Sequence, residues 1–295
     1  MVAEVNERSS HTVATPHGGG IAIAITWFGA LFSLHVSDKI DEKLFYALLL
    51  GSILSVVSYL DDLFELSPKI RLFTQSGVAL GALFFLGGLV KIDFGIFELT
   101  NPFLLNIFAF FLIVWFINLY NFLDGIDGYA GSEAIFLAIA GFLLFGGEHF
   151  LFLALAVLGF LVWNWQKAKI FMGDVGSTLL GFNIAVFTLY YANKASENLW
   201  IWILLFGVFW FDATLTLFRR FKNKEKLSQA HRKHAYQRLT QSGWSHQKVV
   251  LFSVLVNFIL FASLYFISNV FLAFGISLIF LYSVVRFVDT KKGFQ

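Results

Sequence analysis

Apolar residues in this chain come in ten long runs. They cover approximately residues 20–36, 43–60, 71–90, 102–120, 131–147, 149–166, 175–192, 198–218, 248–267 and 269–287. Each is about long enough to cross a roughly 30 Å hydrocarbon core as an α-helix. The predicted fold is therefore all-α, a polytopic transmembrane helical bundle of about ten spans. The runs 131–147 and 149–166 are separated only by Gly147 and Glu148, which predicts a hairpin with a minimal turn. Residues 219–248 form the one sizeable polar connection, and no internal repeat or low-complexity linker is visible, so residues 1–295 read as a single domain.

The polar residues that interrupt these runs gather at predicted helix ends. Asn118-Leu-Tyr-Asn121-Phe-Leu-Asp124-Gly-Ile-Asp127-Gly follows directly on the apolar stretch 103–117. A carboxylate at the centre of a bilayer costs roughly 2.5–3.5 kcal/mol on insertion scales, so two Asn and two Asp here need a reason. Gly125 and Gly128 weaken a helix, which places its end near Asp124. On an unbroken helix Asn118 and Asp127 would point to opposite sides, because each three-residue step lags by about 60°. A helix that frays into a loop at the membrane face lets these groups converge, which suits a metal or a polar head group.

Composition narrows the classes. The chain is 58% hydrophobic and 14% charged, with 38 Phe among 295 residues. Together with a mean hydropathy of +0.75, this excludes a soluble domain. There is no Cys, hence no disulfide and no thiolate metal site. A net charge of +2 is too small to argue for nucleic acid. The first 17 residues are polar and lack a signal-peptide core, so the first apolar span serves as insertion signal.

Ten spans put both termini on one side. That side collects Arg8, Lys69, Arg71, Lys167, Lys169, most of the basic 219–248 connection, Arg286, Lys291 and Lys292, whereas the other holds only Lys39, Lys43, Lys91 and Lys194. The positive-inside rule makes the first side cytoplasmic, and the same topology puts every polar motif there.

Four further clusters sit on that face. Thr15-Pro16-His17-Gly18-Gly19-Gly20 reads either as a flexible entry to the first span or as backbone brought close to a phosphate. Asp61-Asp62, followed by Lys69, Arg71 and Gln75, is either a solvated helix terminus or a base or metal site. Negative charge at a helix C-terminus opposes the macrodipole, which favours the second reading. Phe171-Met-Gly-Asp174-Val-Gly-Ser177 precedes another span, and alone Asp174 reads as a favourable helix N-terminal charge. His231-Arg232-Lys-His234-Ala-Tyr236-Gln-Arg238 offers two His at i, i+3, which would share a helix face. A zinc site there lacks a third ligand, leaving phosphate binding or a solvated basic loop. Taken together, clustered carboxylates need a cation, and hard oxygen donors without Cys favour Mg²⁺ or Mn²⁺ over Zn²⁺. Carboxylates, metal and cations at a membrane face read as phosphoryl-transfer chemistry.

At this point the chain resembles the polyprenyl-phosphate N-acetylhexosamine-1-phosphate transferases. The matching pieces are TPHGGG, DDLFELSPKIRLFTQ, NLYNFLDGIDG, FMGDVGS and HRKHAYQRL, in the family's order and over nearly the whole chain. The resemblance implies that a polyprenyl phosphate, usually undecaprenyl phosphate, attacks the β-phosphate of a UDP-N-acetylhexosamine. UMP leaves, and a lipid-diphospho-sugar that initiates a cell-surface glycan forms. It further implies Asp174 as the Mg²⁺ ligand, assisted by Asn121. Asp61 and Asp62 would activate or position the lipid phosphate, and Asp124 and Asp127 would belong to the nucleotide-binding and active centre. Arg71 and Asn118 would bind substrate, and His231, Arg232, His234 and Arg238 would contact the donor diphosphate or sugar. HRKHAYQRL looks more like the O-antigen-initiating, lipopolysaccharide subgroup and lacks the three consecutive His of the peptidoglycan enzyme, which argues against a muramoyl-pentapeptide donor. UDP-N-acetylglucosamine stays open. The implied location is the inner (plasma) membrane, with active site and both termini cytoplasmic, and a homodimer is left open. Family members carry one more helix before TPxxGG, and Asn6 to His11 resembles the segment after it, so that helix is expected to be missing upstream.

Two rivals remain. A transporter or lipid flippase would place its ionisable groups near mid-span, as only Asp212, inside the run 198–218, does. A non-catalytic membrane scaffold would leave five acids on one face unexplained.

Overall fold

The computed structural model describes residues 2–3, 15–227, 229 and 231–294. The expected Asn6–His11 resemblance and Arg8 lie outside them. The described chain folds into thirteen helices: α1 (Gly20–Val36), α2 (Glu42–Leu49), α3 (Gly51–Phe64), α4 (Pro68–Leu86), α5 (Pro102–Leu123), α6 (Tyr129–Phe145), α7 (Glu148–Asn164), α8 (Gly173–Lys194), α9 (Glu197–Leu205), α10 (Gly207–Lys222), α11 (Ala235–Gln241), α12 (His246–Phe266) and α13 (Val270–Lys291). Among the described residues the only ladders are two-residue pairs, Val2–Ala3 with Thr15–Pro16 and Ile92–Asp93 with Glu98–Leu99, beside one isolated parallel bridge of His17 with Phe171. The protein is an all-α, polytopic membrane bundle.

Among the described residues six helical spans are long and apolar enough to cross a membrane, Glu42–Phe64, Pro68–Leu86, Pro102–Leu123, Gly173–Lys194, His246–Phe266 and Val270–Lys291, or seven if the bent pair α9–α10 counts as one, against about ten expected. Three more apolar helices, α1, α6 and α7, have 17 residues each. The predicted α6–α7 hairpin is present, turning on Gly146 and Gly147, whose φ of 70° and 95° need residues without a Cβ.

α8 is the axis of the bundle: 94% of its apolar window is buried, against 22–50% for the other five spans. Close packing around it uses absent side chains. A Cβ at Gly181 would stand 2.5 Å from the Phe116 carbonyl oxygen of α5, and Gly20 of α1 meets the Gly176 backbone just as tightly. The outward surface is apolar, with Phe73, Phe84, Tyr265 and Phe266 each at least 80% exposed. Side chains of that kind belong in lipid.

The run 198–218, expected as one span, is broken. α9 and α10 meet at a bend of 77° around Phe206. Trp210 Nε1 donates to the Ile203 carbonyl at 2.6 Å and satisfies one of the groups freed by the break. Beyond the bend α10 carries Asp212, whose carboxylate accepts from Ala235 N and Thr216 Oγ1.

Candidate active site

The predicted motifs meet because the chain stitches two of them together through the backbone. Phe171 N donates to Pro16 O (2.8 Å), Gly19 N to Phe171 O (2.9 Å) and Gly20 N to Met172 O (2.9 Å). Gly19 and Gly20 of TPHGGG thus serve close helix packing and this short backbone bridge. His17 is thereby set 3.7 Å from Asp62 Oδ2.

Asp61 and Asp62 occupy the last turn of α3, which ends at Phe64 with Glu65 in the left-handed region. Adjacent helical positions diverge by about 100°, and the two carboxylates accordingly take different partners. Arg71, on the first turns of α4, reaches Asp61 Oδ2 at 3.2 Å and Asp174 Oδ2 at 3.9 Å. Asp174 stands in the first turn of α8, where the helix dipole favours a carboxylate, and it hydrogen-bonds the Asn121 side chain. Asn118, one turn before Asn121, exchanges amide hydrogen bonds with Gln75. Its Nδ2 donates to Gln75 Oε1 at 2.7 Å, and Gln75 Nε2 returns to Asn118 Oδ1 at 3.4 Å.

These groups border a cavity of about 360 Å³ lined by Ser58, Arg71, Gln75, Asn118, Asn121, Phe122, Asp174 and Thr178, among others. α3, α4, α5 and α8 thus enclose a polar chamber at one end of the bundle. Asp124 caps the end of α5, as predicted. Burial first, and then Asp174, push its carboxyl up to about 7. Among the described residues no three His, Asp or Glu side chains stand close enough to hold a metal alone. Asp174 and Asn121 supply adjacent hard oxygen donors on the chamber wall.

Other predicted residues lie elsewhere. Asp127 is 6% exposed and faces His246 Nδ1 at 3.2 Å while accepting from Ala168 N at 3.2 Å. It ties the DGIDG loop to the start of α12 and is not at the chamber. The two His do not share a helix face, because α11 starts only at Ala235. Their rings still meet, with centroids 4.8 Å apart, and His234 also stacks on Phe122 at 6.5 Å. His231 is pushed down to about 4 by burial, with His234 and Arg220 adding to the effect. Arg238, expected at the donor, is 3% exposed and pairs with Asp289 at 2.6 Å. Arg232 belongs to the same loop, and its backbone carbonyl accepts from Gln241 Nε2 at 2.7 Å.

Sequence reasoning passed over the roles of Gly125 and Tyr236. Tyr236 donates its hydroxyl to the Phe122 carbonyl at 3.2 Å and packs over Gly125, which joins the His loop to the end of α5. An aromatic residue within a basic motif was the available signal.

The fold and the chamber define an α-helical membrane bundle with carboxylates, an arginine and amides gathered around a polar cavity at one end. The sequence agrees: the family description Glycosyl transferase family 4 matches residues 44–192. The chain is 34% identical over 272 residues to a probable undecaprenyl-phosphate N-acetylglucosaminyl 1-phosphate transferase of Bacillus subtilis (strain 168), covering 88% of this chain and 75% of that protein. It is 28% identical over 287 residues to an undecaprenyl-phosphate alpha-N-acetylglucosaminyl 1-phosphate transferase of Thermotoga maritima, covering 95% and 88%. A phospho-N-acetylmuramoyl-pentapeptide-transferase of Streptococcus pneumoniae (strain 70585) is 33% identical over 222 residues, covering 68% and 65%. The chain belongs to Glycosyl transferase family 4.

Proposed function

We propose that this protein transfers an N-acetylhexosamine 1-phosphate from a UDP-sugar to a polyprenyl phosphate, with UDP-N-acetylglucosamine the first donor to test. The observation that carries the reading is the juxtaposition of Asp61, Arg71, Asn121 and Asp174 at the rim of a chamber of about 360 Å³. The names of the relatives supply the substrate classes: undecaprenyl phosphate as acceptor and N-acetylglucosamine 1-phosphate as the transferred group. The basic end faces the cytoplasm, where sugar nucleotides are made, and the exposed apolar flanks leave the acceptor's tail in lipid.

The bond that forms joins a lipid phosphate oxygen to the β-phosphorus of the donor. The bond that breaks joins that phosphorus to the oxygen it shares with the α-phosphate, and UMP departs with the electron pair. The lipid phosphate is already largely ionised near neutral pH, so catalysis rests on charge neutralisation and in-line positioning. Arg71 supplies a planar cation suited to two phosphate oxygens and is steered by Asp61 and Asp174. Asn118 and Gln75 lock each other's amides and set the rim of the chamber. The Asp62–His17 contact holds the TPHGGG strand beside Gly173.

Asp174 and Asn121 fit Mg²⁺, which takes one or two protein oxygens and fills its remaining positions with phosphate and water, and Mn²⁺ satisfies the same donors. When bound, the ion neutralises charge on the donor diphosphate. The glycan initiated downstream is proposed as O-antigen on the likeness of the 231–239 loop.

The test is turnover. Purified protein in detergent is mixed with undecaprenyl phosphate, Mg²⁺ and a panel of UDP-N-acetylhexosamines, and UMP and lipid product are measured with and without EDTA. EDTA-sensitive UMP release with one sugar is the expected result, and no release across the panel would refute the reading.

A further inference from the structure

The segment 231–241 carries the residues assigned to the donor, yet its only helix, α11, has seven residues. So short a helix is not stable on propensity alone. Two carboxylates on other helices hold it. Asp212 of α10 is 6% exposed, and both its oxygens accept from Ala235 N, at 2.9 and 2.8 Å. Thr216 Oγ1 donates to the same carboxylate at 3.0 Å, and His234 Nδ1 lies 3.8 Å away. Asp289 of α13 accepts from both terminal nitrogens of Arg219, at 2.9 and 3.0 Å, and from Arg238 at 2.6 Å. Arg238 also donates to the Lys292 carbonyl at 3.0 Å.

Asp212 therefore fixes the start of α11, and Asp289 fixes its middle through Arg238. Neither lines the polar chamber. Between them Tyr236 projects to the Phe122 carbonyl, and Phe122 is a wall of that chamber. An apolar contact would let a short helix slide or rotate, whereas a buried charge pair with fixed donors selects one arrangement.

We propose that Asp212 and Asp289 are positioning residues for the sugar-nucleotide side of the site. They touch no substrate. They set the height and rotation of α11, and with it His231, His234 and Tyr236. The inference rests on the transferase reading given above, and it separates the donor side from the lipid phosphate, which the Asp61–Arg71 pair of α3 and α4 would meet.

The experiment compares wild type with Asp212→Asn, Asp289→Asn and Asp289→Glu, each checked for monodispersity in detergent. KM is measured separately for UDP-N-acetylglucosamine and undecaprenyl phosphate, and amide hydrogen exchange is followed with and without saturating UDP-N-acetylglucosamine. Each Asn variant should raise the donor KM by about tenfold or more, with the lipid-phosphate KM within about twofold. Exchange should accelerate at 231–241, and Asp289→Glu should recover most of the donor KM. Equal rises in both KM values, unchanged exchange, or a Glu variant as impaired as Asn would overturn the proposal. If no sugar nucleotide is turned over, the transferase reading fails by itself. Exchange then decides the positioning claim: wild-type amides at 231–241 slowed by the nucleotide, and not slowed in the Asn variants, would uphold it. No slowing in the wild type would overturn it.

Discussion

Tyr236 packs its phenol over Gly125 so closely that a methyl group on Gly125 would collide with the hydroxyl. The glycine was legible as a helix breaker after Asp124. Its second role is to make room for a residue more than a hundred positions away.

Gly125→Ala should therefore push Tyr236 and α11 outward and lower turnover by about tenfold or more, as overpacking costs of roughly 1–3 kcal/mol imply. Combining it with Tyr236→Phe, which removes the colliding oxygen, should recover part of the loss. Activities of the single and double variants form a cycle, and strict additivity would show that the two residues are uncoupled.

Asp174→Asn should reduce turnover by a factor on the order of a thousand, by analogy with loss of a main electrostatic stabiliser. Membrane insertion and the thermal midpoint should hold, because the side chain lies at the chamber rim. Wild-type-like turnover would remove Asp174 as an essential ligand. Arg71→Lys keeps the charge but loses the planar fork, so its loss should be smaller than that of Arg71→Ala. Equal losses would assign Arg71 to structure alone.

His231 gives a pH dependence of stability with a definite sign. Burial, reinforced by His234 and Arg220, lowers its pKa from an ordinary 6.5 to about 4. The unfolded chain then binds a proton near 6.5 that the folded chain refuses until about 4. Its stability contribution is complete above that window, is lost as pH falls through it, and is constant below it. The thermal midpoint of the detergent-solubilised protein should fall between these two values, and His231→Gln should flatten that portion of the curve. An unaltered curve would remove His231 as the titrating group.

Gly181→Ala tests the axis of the bundle. Its new Cβ would meet the Phe116 carbonyl oxygen at 2.5 Å, so α5 and α8 must separate. Destabilisation of about 1–3 kcal/mol is expected, read as a lowered thermal midpoint.

Much of the fold was legible because a bilayer demands long apolar runs, and each predicted run has a helical counterpart. The exception, at Phe206, was hidden because the apolar run continues past the bend to Asp212. Asp212, the one charged residue inside that run, was the available signal. Around the chamber, Arg71, Asn118, Asn121 and Asp174 were singled out from sequence because helix ends carry their own local signals, and the structure brings these four together. The pairings of Asp127 with His246, and of Asp289 with Arg219 and Arg238, were not legible. Pairs 119, 70 and 51 residues apart leave no local pattern. The two His were placed on a helix because their spacing fits one, but α11 begins one residue beyond the second.

The bend between α9 and α10 has an engineering consequence. It turns α10 across the bundle, where Phe209 is buried against Tyr120 and Tyr129 and Asp212 holds the start of α11. A graft that swaps the chain from 207 to 245 for a relative's sequence must therefore refill those core contacts as well as the Tyr236 contact with Gly125 and Phe122. The transplant must bring its own counterparts to the bolt at Asp289 and to the collar around Asp212.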